Sequence, residues 1–141
     1  MSAEFFLDTN ILIYAFSRQD PAKRIQARSL VRSAVQEGMG TISWQVVQEF
    51  FHAALHRSSL EPAPDALSDY AQTVLFPLCQ VWPSVDLWLK ALAIQRQTQY
   101  RFYDSLIVAS ALASGARLLY SEDFQSGRMI GDLRIENPFL P

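Results

Sequence analysis

Phe5-Phe6-Leu7-Asp8-Thr9-Asn10-Ile11-Leu12-Ile13-Tyr14-Ala15-Phe16 is the stretch whose reading decides the fold. Phe5 to Leu7 is a short apolar run without polar alternation, as expected of a strand buried in a parallel sheet. It stops abruptly at Asp8. From Asn10 through Phe16 the pattern becomes helical, with Ile11, Leu12 and Ala15 on one side. A buried strand, an acid and a helix thus follow one another without a linker.

The same alternation continues outward. Asp20-Pro21 is an N-cap followed by proline at the first helical position, and it predicts a helix running to Glu37. Ala27, Val31, Ala34 and Val35 would face inward, and Gly38 would close the helix. Thr41-Ile42-Ser43 reads as a second strand, and Val46, Val47, Phe50, Ala54 and Leu55 then repeat at helical spacing. Glu61-Pro62-Ala63-Pro64 is the clearest break, with Asp65 placed to cap a helix through about Phe76. Leu78 to Trp82 reads as a third strand. Ser84 caps a helix carrying Leu87, Leu89, Leu92, Ala93 and Ile94. Asp104 opens another, Ser105 to Ala113, whose Ala and Ser content permits close packing on a sheet, and Gly115 ends it. Leu118-Leu119-Tyr120 and Leu133 to Glu136 read as the last strands. There is no internal repeat and no linker long enough to divide domains, so residues 1–141 are expected to form one domain. Strands alternating with helices imply a parallel sheet covered on both faces, a three-layer α/β/α sandwich.

Composition narrows the class. Half of the 141 residues are apolar and 12% aromatic, which excludes a disordered chain. Cys79 is the only cysteine, so neither an intramolecular disulfide nor a thiolate metal cluster can form, which suits a reducing cytoplasm. Met1-Ser2-Ala3-Glu4 is not the basic start of a secretory signal, and no apolar run approaches the roughly 18 residues of a membrane span. The net charge of −2 counts mildly against a non-specific nucleic-acid binder, but is compatible with an enzyme that meets phosphate through a metal.

Ligands of parallel α/β sheets bind at the carboxyl ends of the strands. Asp8 follows the first strand directly, Asp123 lies three residues beyond Tyr120, and Asp104 stands at a helix entrance. Glu49 lies within a helix among Val46, Val47, Phe50 and Phe51, at the edge of a buried face where a long acid seldom sits without a partner. Converging carboxylates repel one another, and a hard divalent cation removes the conflict; all-oxygen ligation suits Mg²⁺ or Mn²⁺. Phosphodiester hydrolysis is the chemistry that uses such an arrangement. Taken singly, Asp8 and Asp123 also suit strand-end turns, Asp104 a helix cap and Glu49 a solvated helix edge. Spacing alone does not choose between these readings.

Leu7-Asp8-Thr9-Asn10-Ile11-Leu12 resembles the opening motif of PIN-domain proteins, particularly the VapC-type ribonuclease toxins of bacterial toxin–antitoxin pairs. Gln45-Val46-Val47-Gln48-Glu49-Phe50 is similar to their weaker second motif. Tyr103-Asp104-Ser105-Leu106-Ile107-Val108-Ala109-Ser110-Ala111 resembles the third, Leu119-Tyr120-Ser121-Glu122-Asp123-Phe124 the fourth, and Ile135-Glu136-Asn137-Pro138-Phe139 the final strand and tail. The motifs span nearly the whole chain in order; weak singly, they are specific together. The resemblance implies a five-stranded parallel sheet of order 3-2-1-4-5 between helices. It implies metal-binding, catalytic carboxylates at Asp8, Glu49, Asp104 and Asp123. Asn10 and Ser121 would shape and orient that site, and Thr9 would do likewise or cap the first helix. Glu122 is an alternative to Asp123, which fits the Ser-x-Asp pattern better. The resemblance further implies a Mg²⁺- or Mn²⁺-dependent endoribonuclease acting on RNA in the cytoplasm, with an antitoxin partner and a homodimeric state. The competing reading is a non-catalytic interaction protein of the same fold.

Other clusters are less specific. Arg24, Arg28 and Arg32 recur every four residues, as a solvated stripe or as an RNA or antitoxin contact. Arg57, Arg96 and Arg101 are unranked phosphate-contact candidates. Glu49, His52 and His56 share a helix face, but the single Glu-x-x-His lacks the second copy of a di-iron bundle, and His-Glu-x-x-His is absent. Both histidines therefore read as surface or site-rim residues, and Trp44, Trp82 and Trp88 as core or interface. A phosphorelay receiver would need a lysine at a late strand end, whereas the only lysines are Lys23 and Lys90.

Overall fold

The computed structural model describes residues 3–57, 60 and 64–141. Six strands form one sheet: β1 (Phe5–Leu7), β2 (Gly40–Ser43), β3 (Cys79–Val81), β4 (Leu118–Tyr120), β5 (Met129–Ile130) and β6 (Leu133–Glu136), in the order β3-β2-β1-β4-β6-β5. All neighbours pair parallel except β5 and β6. The five parallel strands take the order that the resemblance implies, and the sixth strand corrects the expected count. β5 is two residues long, too short for any periodicity, and pairs Met129 with Arg134 and Ile130 with Leu133 across Gly131-Asp132. Gly131 sits at φ +58°, the left-handed conformation that a two-residue hairpin turn requires.

The helices are α1 (Thr9–Tyr14), α2 (Pro21–Gln36), α3 (Trp44–His56), α4 (Pro64–Tyr70), α5 (Phe76–Leu78), α6 (Val85–Thr98) and α7 (Phe102–Ala113). A π-helical segment, Ala71–Leu75, joins α4 to α5. Local chemistry explains their starts. Asp20 accepts a hydrogen bond from Lys23 N at 3.1 Å with Pro21 behind it, Ser43 accepts from Val46 N, and Ser84 from Leu87 N at 3.0 Å. β1 is buried on both faces, and Phe6, Leu7, Ile42, Leu119, Leu133 and Ile135 are fully enclosed in the sheet's core. Ile11, Leu12 and Ala15 of the first helical stretch pack into the same cluster.

Several local expectations are corrected. Asp104 does not cap α7: the helix starts at Phe102, and Asp104 lies in its first turn. Thr9 does not cap α1; Asp8 does, accepting from Thr9 N at 2.7 Å. Val35, Leu55, Leu89 and Leu92 are exposed, because helical spacing marks a stripe but not its width. Glu61 to Ala63 lie outside the described residues, as do Met1 and Ser2; α4 begins at Pro64, one residue before Asp65. No helix of the described residues is long and apolar enough to cross a membrane.

Gly40 marks where α2 crosses β2. A Cβ there would run into Ala34 Cβ and lie 2.6 Å from Phe5 Cε2 and 3.0 Å from Ala34 Cα. Neither obstacle is the loose end of a flexible chain. Gly40→Ala is therefore expected to lower unfolding stability by about 3 kcal/mol, the upper part of the overpacking range. Urea denaturation checks this, and an unchanged midpoint would mean that α2 does not press on the sheet at this point.

Candidate active site

β1 continues to β2 and β3 on one side, and the chain then crosses to β4 and β6 on the other. The strand order therefore reverses between β1 and β4, the position at which parallel α/β sheets open a crevice beyond their carboxyl ends. Asp8 and Ser121 are the first residues past these two strands, locked side by side by Asp8 N donating to Tyr120 O at 3.0 Å. A cleft of about 710 Å³ lies over them and is lined by Asp8, Glu49, Asp104 and Asp123. Four elements thus bring the four acids to one place: β1, α3, the first turn of α7 and the loop after β4.

Hydrogen bonds fix most of these carboxylates. Asp8 is 4% exposed; Ser121 Oγ donates to its Oδ2 at 2.7 Å, while Thr9 N holds Oδ1. Ser121 Oγ in turn accepts from Asp123 N at 3.0 Å and Asn10 Nδ2 at 3.3 Å. Asn10 Nδ2 also reaches Asp123 Oδ2 at 3.1 Å, and its Oδ1 accepts from Glu122 N at 3.2 Å. Asn10 and Ser121 therefore tie the β1 and β4 ends together and orient two acids. Thr9 Oγ1 donates to Glu49 Oε1 at 2.6 Å, linking α1 to α3.

Glu122 faces different partners from Asp123. Its carboxylate pairs with Lys23 Nζ at 3.2 Å and accepts from Tyr14 OH at 3.0 Å. The Lys23 ammonium also lies over the Tyr14 and Phe139 rings. Glu122 is thus paired with a cation, whereas Asp123 acts electrostatically on Asp8 and Asp104.

Burial is the main cause that lifts Asp8 to about 7; Asp123 and Glu49 push in the same direction, against the hydrogen bonds from Ser121 and Thr9. Burial, then Asp123, also raises Asp104, and Arg101 works against them. Among the described residues, no donor satisfies the Asp104 carboxylate. The cleft therefore contains more negative charge than it can stabilise by itself. Among the described residues, no three His, Cys, Asp or Glu side chains are grouped to enclose an ion. A closed cage is not required, since Mg²⁺ is commonly held by one or two carboxylates and keeps several waters. The buried Asp8 and the unsatisfied Asp104 fit that mode, and both are hard oxygen donors.

Sequence reasoning left other lining residues without a role. Gln45 sits one turn before Glu49; its Nε2 donates to Tyr103 O at 3.1 Å and contacts Glu49 Oε2 at 3.5 Å. The i, i+4 spacing carried that signal. The clamp by Lys23 on Glu122 had none, because 99 residues separate the partners. His52 lines the cleft, and exposed His56 stacks on it with ring centroids 4.5 Å apart. Two members of the arginine stripe turn back on the chain: Arg24 Nη1 donates to Ser17 O at 3.3 Å and Arg28 Nε to Ala15 O at 2.7 Å. Trp44 is half-buried and stacked between Phe76 and Trp82, whereas Trp82 and Trp88 are exposed.

Residues 5–129 match the PIN domain family. No curated protein matches the chain. Among solved structures, VapBC2 from Rickettsia felis, bound to a DNA fragment from its promoter, is 18% identical with a TM-score of 0.61; the match covers 94% of this chain and 97% of that one. FitAcB from Neisseria gonorrhoeae is 15% identical with a TM-score of 0.63, covering 96% and 98%. VapC20 of Mycobacterium tuberculosis, a sarcin–ricin-loop-cleaving toxin, is 21% identical with a TM-score of 0.60, covering 84% and 89%. At these identities the likeness is one of fold.

Proposed function

The chain belongs to the PIN domain family, and we propose that it is a single-domain, Mg²⁺- or Mn²⁺-dependent endoribonuclease, the cytoplasmic toxin of a type II toxin–antitoxin pair. The observation that carries this reading is the convergence of Asp8, Glu49, Asp104 and Asp123 in one cleft at the switch point of the sheet. Asp8 and Asp104 would hold the cation, with Glu49 and Asp123 completing its surroundings directly or through water. A bound divalent ion supplies charge neutralisation for the phosphate and a water of lowered pKa. The chain's own groups set the geometry: Ser121 and Thr9 N aim Asp8, Asn10 aims Asp123, and Thr9 Oγ1 aims Glu49. Three of the four acids are thereby oriented before substrate arrives, which favours electrostatic catalysis.

The toxin assignment is supported by the resemblance of the ordered motifs and by the fold shared with VapBC2, FitAcB and VapC20. An antitoxin partner and a homodimeric state belong to the same reading.

Purified protein freed of any co-purifying partner is expected to cleave RNA in Mg²⁺ or Mn²⁺ and to stop when EDTA is added. Total cellular RNA, including transfer and ribosomal RNA, must be among the substrates, because narrow substrate choice could make a generic RNA resistant. Well-folded, metal-loaded protein that cleaves none of these would favour the non-catalytic interaction protein.

A further inference from the structure

Charge is segregated along the cleft. The four acids occupy the β1–β4 end, whereas the basic side chains lining the cleft are, among the described residues, Arg57 and His52. His52 follows Glu49 by one turn of α3. Arg57 follows the last helical residue and lies about 12 Å beyond Glu49 along the helix axis at 1.5 Å per residue. The Arg57 backbone is anchored: its N donates to Ala53 O at 2.9 Å and its O accepts from Leu60 N at 3.3 Å, while Leu60 bridges to Ser17. Among the described residues no carboxylate pairs with Arg57. By contrast, Arg24 and Arg28 are bonded to backbone carbonyls, Arg134 is paired with Glu136, and Arg128 lies over the Tyr100 ring.

A guanidinium with no carboxylate partner among the described residues, on a backbone anchored at one end of an acidic cleft, has an anion as its natural partner, and its backbone lies about two turns of α3 beyond Glu49. We propose that Arg57, with His52 beside it, holds an RNA backbone phosphate neighbouring the one that is cleaved, and so sets where the strand lies across the acids. The assignment rests on the nuclease reading above. Arg57 is a positioning group for substrate and takes no part in bond breaking. It also ranks the arginines: Arg96 does not line the cleft, and Arg101 acts on Asp104 instead.

Binding separates this role from catalysis. Asp8→Asn protein in Mg²⁺ would be titrated into a fluorescein-labelled single-stranded RNA oligonucleotide over a range of salt concentrations, followed by anisotropy. Adding Arg57→Ala is expected to weaken binding about tenfold, the loss of one charge-assisted contact. It should also reduce the slope of log K against log salt by about 0.7, one phosphate's share on a single strand. Arg57→Lys should keep that slope while losing part of the affinity, because the charge remains and the planar fork does not. Arg96→Ala should change neither quantity. An unchanged slope and affinity in Arg57→Ala would overturn the proposal while leaving the nuclease reading intact if the wild type cleaves RNA. Salt-independent binding, or none, by the Asp8→Asn protein would overturn it as well, and absence of cleavage by the wild type would then remove the nuclease reading with it.

Discussion

Asp8→Asn is expected to reduce RNA cleavage by about 10²–10³-fold while the protein remains folded, as removal of one preorganised electrostatic group typically does. The carboxylate is 4% exposed and stands at the switch point of the sheet, so its loss removes charge from the most enclosed part of the cleft. The amide also disturbs its neighbour. Ser121 Oγ already accepts from Asn10 Nδ2 and Asp123 N and donates its own proton to Asp8 Oδ2. An NH₂ at that oxygen's position would present Ser121 with a third donor. Folding should survive, because the substitution also removes a buried negative charge that the site cannot fully stabilise. Asp104→Asn should show a similar loss of activity for the simpler reason that it alters one acid with no hydrogen-bond network to upset. Asn10→Ala should lose about 10–100-fold, the usual cost of removing a group that only orients a ligand. Cleavage assays on proteins matched by their melting curves test the order. Undiminished cleavage by Asp8→Asn would point to a contaminating nuclease.

Much of this arrangement was legible in the sequence because it is local. Phe5 to Leu7 reads as a buried strand, and Asp8 follows it without a spacer. Leu118 to Tyr120 repeats that pattern, with Ser121 in the corresponding place. Once the two parallel strands adjoin in register, with Leu7 beside Tyr120, their first following residues meet. Glu49 was harder, since an acid at a helix edge is ordinary until Thr9, 40 residues away, is seen to bond it at 2.6 Å. What could not be read depended on long-range packing. The partition between Glu122 and Asp123 is made by Lys23 and Tyr14, which approach from helices before β2. β5 exists only because Gly131 folds two residues back onto β6. The arginine repeat looked like a solvated stripe, but guanidinium groups are long enough to reach the carbonyls of Ala15 and Ser17.

Metal-free protein is expected to be less stable at pH 8 than at pH 5, and Mg²⁺ or Mn²⁺ should reverse much of the difference. The folded Asp8 titrates at about 7 against 3.8 for the unconstrained group, chiefly because burial disfavours its charge. Between those values the folded state binds the extra proton, so stability falls as pH rises from about 4 to beyond 7. The full displacement corresponds to on the order of 4 kcal/mol. Asp104, raised in the same direction by burial, adds to the trend. A cation bound to ionised Asp8 acts oppositely. At 100 times its dissociation constant it contributes about 2.7 kcal/mol. Its effect should fade toward pH 5, where protons compete for the same oxygens. Asp8→Asn should flatten the pH slope and lose most of the metal response together, since one carboxylate is responsible for both. Urea unfolding of the two proteins at pH 5 and pH 8, with and without the ion, lets every other titrating group cancel in the comparison. Parallel pH slopes for wild type and Asp8→Asn would show that Asp8 is not the strained acid, and equal metal responses would place the ion elsewhere.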